Sequence, residues 1–510
     1  MKELTEVLED WEAVIGLEVH AELTTLKTKM FCSCPIEFGA DPNTHTCPVC
    51  LGMPGALPVP NKAAIESIVL AGLATNCDIE KHTMFYRKGY FYPDMAKNFQ
   101  TTQGPLAFCM RGHLDLELSA KGATERVDVP KDDDGGYTTR IGITRIHMEE
   151  DAGKMTHLGG SEGRIDGAER SLVDYNRAGT PLIELVTEPD LRTPEEARAF
   201  MQKLRQIYLT LGISDCSMEE GSLRADGNVS LRRRGSTELG TKTELKNINS
   251  FKNLHDGLAY EICRQAEVLE SGGVIRQETR HWEPGAKRTI VMRVKETADD
   301  YRMFPDPDLA PFDLSDEFIE NVRAKLPELP DAKKARFMES YGLPAYDAGE
   351  LAGDVEIAQF FEEVAQDADA IVAKKIANLI INDVSAWANE NATSISASKI
   401  TPAALAALAK MLADDTISSK QGKEVLAALI GEGVDPEEYV KSHGMEQTTD
   451  TGAIETIVDE LMAANPDKVE AYRGGKTGLQ GFFMGQVMKQ LGGQGNPKVI
   501  SAIVTEKLEG

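Results

Sequence analysis

The residues best suited to chemistry crowd the start of the chain. FCSCPIEFGADPNTHTCPVC, from Phe31 to Cys50, carries Cys32, Cys34, Cys47 and Cys50, half of the eight cysteines present. The pairs are spaced C-x-C and C-x-x-C, and Pro35, Gly39, Pro48 and Gly52 supply tight bends around them. Four thiolates so placed suit a tetrahedral Zn²⁺ ion, and the competing reading is a set of buried free thiols. A four-thiolate zinc has no open position for substrate, so its role would be structural. Just upstream, Glu18, His20 and Glu22 occupy alternate positions of VIGLEVHAEL. On a strand this sets Glu18 and His20 side by side on one face. A carboxylate beside an imidazole suits a divalent cation that also meets phosphate, whereas a plain solvated strand face is the bland alternative. HMEED, His147 to Asp151, ends another alternating stretch with three successive carboxylates, which repel one another unless a cation or a turn intervenes. If those two strands were neighbours they would build a Mg²⁺ site.

Five further segments are polar in a way that packing does not explain. YFYPDMAKNFQTTQ (90–103) mixes aromatic residues, Tyr92 among them, with Lys97, Asn98 and Gln100. DYNRAGTPLIELVTEPD (174–190) sets Asn176, Arg177 and Thr180 before an apolar strand. SMEEGSLRADGNVS (217–230) adds Arg224, ELKNINS (244–250) adds Lys246, Asn247 and Asn249, and RVKETADDYRMFPDPD (293–308) adds Lys295, Tyr301 and Arg302. Together they describe a large pocket for a phosphorylated, hydrogen-bonding substrate. RGGKTG (473–478) resembles a phosphate-binding loop, but Glu470 stands where that loop requires glycine. No serine or cysteine nucleophile sits in an activating context, so hydrolysis of glutamine is not expected of this chain.

The elements that must position these residues change character near residue 300. Before it, alternating apolar stretches predict strands in VIGLEVHAEL, YTTRIGITRIHME, SLRADGNVSLR and TKTELKNIN. One helix is predicted from about Lys62 to Thr75. Another follows Thr193 as cap, with Pro194 at its first position and Gly212 as its stop. Strands and helices without a strict βαβ rhythm indicate an α+β domain. Beyond about Asp313 the apolar spacing is helical throughout, and ENATSISASK (390–399) reads as a linker.

Of the 510 residues 41% are hydrophobic and 27% charged, ordinary for a globular protein. No apolar run approaches a membrane span, and the acidic start MKELTEVLEDWEA lacks the apolar core of a signal peptide, so the expected location is the reducing cytoplasm. The net charge of −27 argues against nucleic-acid binding spread over the whole surface. Two islands run the other way: residues 222–255 hold seven basic and three acidic side chains, and residues 466–510 hold six and four.

Several long motifs together resemble the B-subunit family of the bacterial aspartyl/glutamyl-tRNA(Asn/Gln) amidotransferases. They are IGLEVHAEL, THTCPVCLGMPGALPV, GYFYPDMAKNFQ, HMEEDAGK, NRAGTPLIELVTEPD, SMEEGSLR, ELKNINS and MRVKETADDYRMFPDPD. The likeness reaches GFFMGQVMK (481–489) in the tail. It departs from the family's usual pattern at Ala96, Ala225, Gly227 and Met303. The resemblance implies an N-terminal mixed α/β cradle over 1–310 that includes the cysteine loop 31–50. An all-helical domain over 311–400 and a small helical YqeY-like, tRNA-binding tail over 401–510 would follow. It implies ATP- and Mg²⁺-dependent phosphorylation of the side-chain carboxylate of glutamyl-tRNA(Gln) or aspartyl-tRNA(Asn). Displacement by ammonia would then give the amide. The ammonia would come through an internal channel from a glutaminase A subunit, with a small C subunit completing a heterotrimer. By resemblance Glu18, His20 and Glu150, with Glu149 as neighbour, would hold Mg²⁺ at the catalytic centre. Tyr92, Lys97, Asn176, Arg177, Thr180, Arg224, Lys246, Asn247, Asn249 and Arg302 would grip ATP, the tRNA end and the aminoacyl group. Two other readings remain: an archaeal-type subunit acting on glutamyl-tRNA(Gln) alone, which usually carries an extra inserted domain, and a non-catalytic zinc-bearing tRNA-binding adaptor.

Overall fold

The computed structural model describes residues 2–118, 136–159, 167–294, 301–446, 451–491 and 495–509. The chain separates into two compact units, residues 1–332 and 333–510. The architecture is α+β: a sheet with helices in the first unit and helices alone in the second.

The first unit is organised by the strand Trp11–Glu22. Ala13, Ile15, Leu17, Val19 and Ala21 lie in the core, while Glu12, Glu18, His20 and Glu22 on the opposite face stay half-buried. Each buried Ile, Leu or Val side chain contributes about 1.5–3 kcal/mol. A one-residue register slip would expose all of them, so the two faces cannot exchange. The strand lies inside a twelve-stranded sheet, between Pro181–Thr187 on one side and Leu223–Arg233 on the other. Beyond Pro181–Thr187 come Tyr137–Glu150, Phe99–Gln103 and Phe85–Gly89, and beyond Leu223–Arg233 comes Thr243–Ile248. All these neighbours pair antiparallel.

Three helices share the core of the apolar face: Lys62–Ala74, Pro194–Leu211 and Phe251–Glu270. Each begins at a side-chain cap, Asn61, Thr193 and Ser250 respectively, which satisfies backbone N–H groups that the first turn leaves free. Pro194 occupies the first turn of its helix, and Gly212 ends it in the left-handed region at φ 65°. The predicted helices thus form with ends within a residue of expectation, and all four predicted strands are present.

The domain boundaries differ from expectation. Phe312, Leu314, Phe318, Leu326 and Leu329 pack against the core of the first unit, which carries it past residue 310. In the second unit one core runs from Phe337 to Met445, so a division near 400 would cut through it. ENATSISASK is no open linker, because Ile395 and the following Ile400 are buried in that core. A second, smaller cluster runs from Ile454 to Leu508. No helix among the described residues is long and apolar enough to cross a membrane.

Gly72 shows how closely helix and sheet approach. A Cβ added there would lie 2.3 Å from Cys109 Sγ and 3.0 Å from Ile79 Cδ1. Alanine is the better helix former by about 1 kcal/mol, but overpacking a filled core costs about 1–3 kcal/mol. Gly72→Ala is therefore expected to lower the calorimetric transition of the full chain, and adding Cys109→Ala should restore part of the loss. A Gly72→Ala chain that melts higher than wild type would contradict this packing.

Candidate active site

The half-buried face of the sheet carries a row of titratable side chains fixed by register. His20 stands opposite Glu184, and Glu184 opposite His147, across three adjacent strands. Glu184 Oε2 lies 3.2 Å from His20 Nε2 and 3.4 Å from His147 Nε2. Two residues along, Glu149 reaches to 3.7 Å from His147 Nε2 and accepts a hydrogen bond from Thr102 Oγ1 at 3.2 Å. One donor atom each from His20, Glu149 and Glu184 lies within 4.8 Å of the others. Burial alone would push the Glu184 carboxyl up, but the two imidazoles overcome it and hold it well below the usual carboxylate range. Burial would likewise push the imidazoles down. Glu184 and Glu149 reverse that, raising His20 and bringing His147 to about 9. His147 Nδ1 is buried without a hydrogen-bond partner.

Two polar groups flank this row. On one side Glu18, Asp226 and Glu244 bring one carboxylate oxygen each within 4.8 Å. Lys246 Nζ already offsets part of that charge, 2.5 Å from Asp226 Oδ2, and Asn228 Nδ2 donates to Glu18 Oε1 at 3.0 Å. On the other side Arg177 Nη2 bridges Glu22 Oε1 and Asp151 Oδ2, each at 2.5 Å, and Arg224 Nη2 meets Asp151 at 2.8 Å. Burial would raise Asp151, but Arg224 and Arg177 hold it low. Burial, then the charge of Asp151, push Glu22 up to about 7 against the pull of Arg177. Arg177 is delivered by a turn in which Gly179, at φ 86°, lets its N–H reach Asp151 O at 2.9 Å.

The expected metal set of Glu18, His20 and Glu150 is not assembled. The strands carrying His20 and Glu149 are not neighbours, because Pro181–Thr187 runs between them and contributes Glu184. Glu149 and Glu150 are consecutive on one strand, so they point to opposite faces. Glu150 turns away from the row, pairs with Lys97 and accepts from Thr101 N at 2.8 Å. Both line a cavity of about 220 Å³ that also takes in Lys29, Cys32 and Cys50. Asn176 also serves elsewhere, since its side chain accepts from His45 N at 2.8 Å and donates to Asp41 O at 2.8 Å, bracing the cysteine loop. Thr180 is buried in the turn after Arg177, and Asn249 accepts from Asn253 Nδ2 at the start of a helix. Tyr92 and Arg302 lie on an exposed wall. The side chain of Asn247, like Lys295, lies outside the described residues. His20, Glu149, Glu18, Arg177, Arg224 and Lys246 do converge on one face. Sequence reasoning missed Glu184, Asp226 and Glu244 as members of it. Glu184 left a signal, as the one charge in the apolar strand PLIELVT.

The four cysteines do come together, with one sulfur each within 4.8 Å. Lys29 is fully buried beside them, with Nζ 2.8 Å from His45 O, 3.0 Å from Tyr175 O and 3.7 Å from Cys50 Sγ. A hydrogen bond from Cys32, helped by Lys29, lowers Cys50 to about 4, and Cys32 is pushed up in return. Soft donors at this spacing, with a buried cation to offset thiolate charge, fit Zn²⁺. Two carboxylates and an imidazole in the His20 row fit a harder divalent ion.

A sheet cradle lined by carboxylates, imidazoles and guanidinium groups defines a catalytic domain built to handle anionic substrates. The family comparison agrees. Residues 13–320 match the model described as the GatB/GatE catalytic domain, and residues 359–508 match the one described as the GatB domain. The chain belongs to the GatB family. It is 48% identical over 501 residues to the B subunit of the aspartyl/glutamyl-tRNA(Asn/Gln) amidotransferase of Carboxydothermus hydrogenoformans, covering 98% of this chain and 99% of that one. The protein of the same description from a Geobacter species is 50% identical over 503 residues, covering 98% and 100%. That from Acaryochloris marina is 48% identical over 503 residues, covering 98% of each.

Two outcomes are expected. In Mn²⁺ binding followed by electron paramagnetic resonance, Glu149→Gln weakens affinity by about 10- to 100-fold or more, whereas Glu150→Gln leaves it unchanged; equal weakening would return Glu150 to the metal set. Zinc analysis of purified protein should show the metal lost in Cys34→Ser and retained in His20→Ala. Loss in both variants would mean the two sites are not separate.

Proposed function

We propose that this chain phosphorylates the side-chain carboxylate of glutamate or aspartate esterified to tRNA, using ATP, and then passes it to ammonia to form the amide. The observation that carries the reading is the His20–Glu184–His147–Glu149 row, flanked on one open face by Arg177, Arg224 and Lys246. A carboxylate is a poor acceptor for ammonia. Attack of its oxygen on the terminal phosphorus of ATP releases ADP and leaves an acyl phosphate. The lone pair of ammonia then adds to the carbonyl carbon, inorganic phosphate departs, and a proton leaves nitrogen. Such transfers need positioning and charge neutralisation more than a protein nucleophile, which suits a chain without one.

His20, Glu149 and Glu184 would hold a divalent cation. That ion would neutralise phosphate charge and order its oxygens. Glu184, ionised between two imidazoles, keeps a ligand oxygen charged despite burial. His147 orients Glu184 and Glu149 from behind. Arg177 and Arg224 lie where an incoming carboxylate or phosphate would meet guanidinium groups, and their shared hold on Asp151 fixes their planes. The four-cysteine loop would hold Zn²⁺ in a purely structural role.

The likeness to relatives described as amidotransferase B subunits supports a ligase acting within a complex. In that complex, in the cytoplasm, a glutaminase subunit would supply ammonia and a small third subunit would complete the assembly. The second unit would bind the body of the tRNA. The described row of catalytic-type side chains disfavours a passive adaptor. In the complex co-expressed with its partner subunits, His20→Ala should abolish amidation of aminoacyl-tRNA both with glutamine and with added ammonia, while tRNA binding by filter assay persists. Recovery with added ammonia would place His20 in ammonia delivery instead.

A further inference from the structure

The loop after the strand Phe85–Gly89, together with Tyr301 just before the strand Phe304–Pro305 that pairs with it, carries aromatic side chains that the chemistry above does not use. Phe91 is 69% exposed, Tyr92 46% and Tyr301 44%. Phe91 and the backbone of Tyr301 meet at Gly89, where an added Cβ would lie 3.0 Å from Tyr301 O and 3.4 Å from Phe91 Cε2, and Tyr92 follows Phe91 directly in the chain. The loop is held in shape. Tyr90 N donates to Asn98 O at 3.0 Å, Met95 N to Tyr92 O at 3.0 Å, and Asn98 N to Met95 O at 3.0 Å. It is also pinned beside the catalytic row, because Tyr175 Oη donates to Pro93 O at 2.6 Å and Gly153 N to Asp94 O at 2.8 Å. Tyr175 is two residues before Arg177, and Gly153 two after Asp151.

Two cations lie over these rings. Lys88 Nζ is 4.9 Å from the centre of Tyr301, and the Arg302 guanidinium is 6.0 Å from that of Phe91. Neither forms an ion pair among the described residues, in a chain whose net charge is −27. Exposed aromatic faces interleaved with cations that have no ion-pair partner among the described residues match unpaired nucleic acid, whose bases offer π faces and whose phosphates meet the cations. A base-paired stem hides those faces. An adenine of ATP is expected in a concave pocket rather than on an open wall.

We propose that Phe91, Tyr92 and Tyr301, with Lys88 and Arg302, form a stacking platform for the unpaired 3′ end of the aminoacyl-tRNA. The proposal rests on the reading of the substrate given above. The amino acid is esterified to the terminal ribose, so a base stacked on this wall sets the reacting carboxylate toward Arg177 and the His20 row.

The test uses the assembled complex and a tRNA whose terminal adenosine is replaced by 2-aminopurine, a base whose fluorescence falls on stacking. Binding to wild type should quench it, Phe91→Ala should remove most of the quench, and Phe91→Trp should retain it. With ordinary substrate, Phe91→Ala should raise KM for aminoacyl-tRNA by about 5- to 150-fold, the effect of losing one base stack, and leave KM for ATP unchanged. A rise in KM for ATP alone would assign the wall to the nucleotide and overturn the proposal. Unchanged fluorescence and unchanged KM values would overturn it too, leaving the wall to a protein partner. Failure of the wild-type complex to amidate any aminoacyl-tRNA would instead strike at the functional reading, which the fluorescence arm does not depend on.

Discussion

A pleated strand turns successive side chains to opposite faces, and that alternation governs the first unit of this protein. Along Trp11–Glu22 it commits Ile15, Leu17 and Val19 to the core and Glu18, His20 and Glu22 to the other side. The apolar half is what makes the polar half possible. Burial of the core face is worth several kcal/mol, and Lys246, Arg177, Arg224 and the imidazoles offset the repulsion among carboxylates gathered on the opposite face. The same alternation sends Glu149 to the row with His147 and Glu184 and Glu150 to the cavity with Lys97. Two adjacent glutamates thus serve two different places with no special backbone geometry.

Within the row, electrostatics works by mutual dependence. A half-buried carboxylate such as Glu184 would favour its neutral form, and the half-buried His20 and buried His147 imidazoles would favour theirs. Placed within about 3.2–3.4 Å, they reverse one another's preference. Glu22 is the exception that marks the edge of this arrangement. It shares Arg177 with Asp151, and the buried pair of carboxylates cannot both ionise easily, so Glu22 is left near 7. Without a cation the row thus favours an ionised Glu184 beside raised imidazoles, and Glu22 at its edge is the more readily titrated group.

Much of this is legible in the sequence. Strand periodicity in VIGLEVHAEL, the Thr193–Pro194 start and the Gly212 stop act locally, so the sequence pattern carries them in full. The cysteine cluster is legible for the same reason, since its four thiols lie within one loop. The grouping of His20, Glu149 and Glu184 is not. His20 and Glu149 belong to strands separated by a third, and strand order is decided by packing over more than a hundred residues, which periodicity does not encode. The division near 400 fails on a related point: Ile395 and Ile400, unremarkable in a polar stretch, anchor that stretch in the core. The family likeness supplies the overall function and assigns Glu150 to the metal, where register points to Glu184.

If the His20–Glu184–Glu149 row is where the carboxylate receives its phosphoryl group, the acyl phosphate itself is the species to measure, by trapping with hydroxylamine. The co-expressed complex is given aminoacyl-tRNA and ATP without glutamine or ammonia, and the side-chain hydroxamate formed in excess of an ATP-free control, as distinct from the α-hydroxamate that the tRNA ester itself gives, is quantified for wild type and for Glu184→Gln. Wild type should yield hydroxamate and Glu184→Gln almost none, with tRNA still bound by both. Hydroxamate at the wild-type rate from Glu184→Gln would remove the row from the phosphoryl transfer.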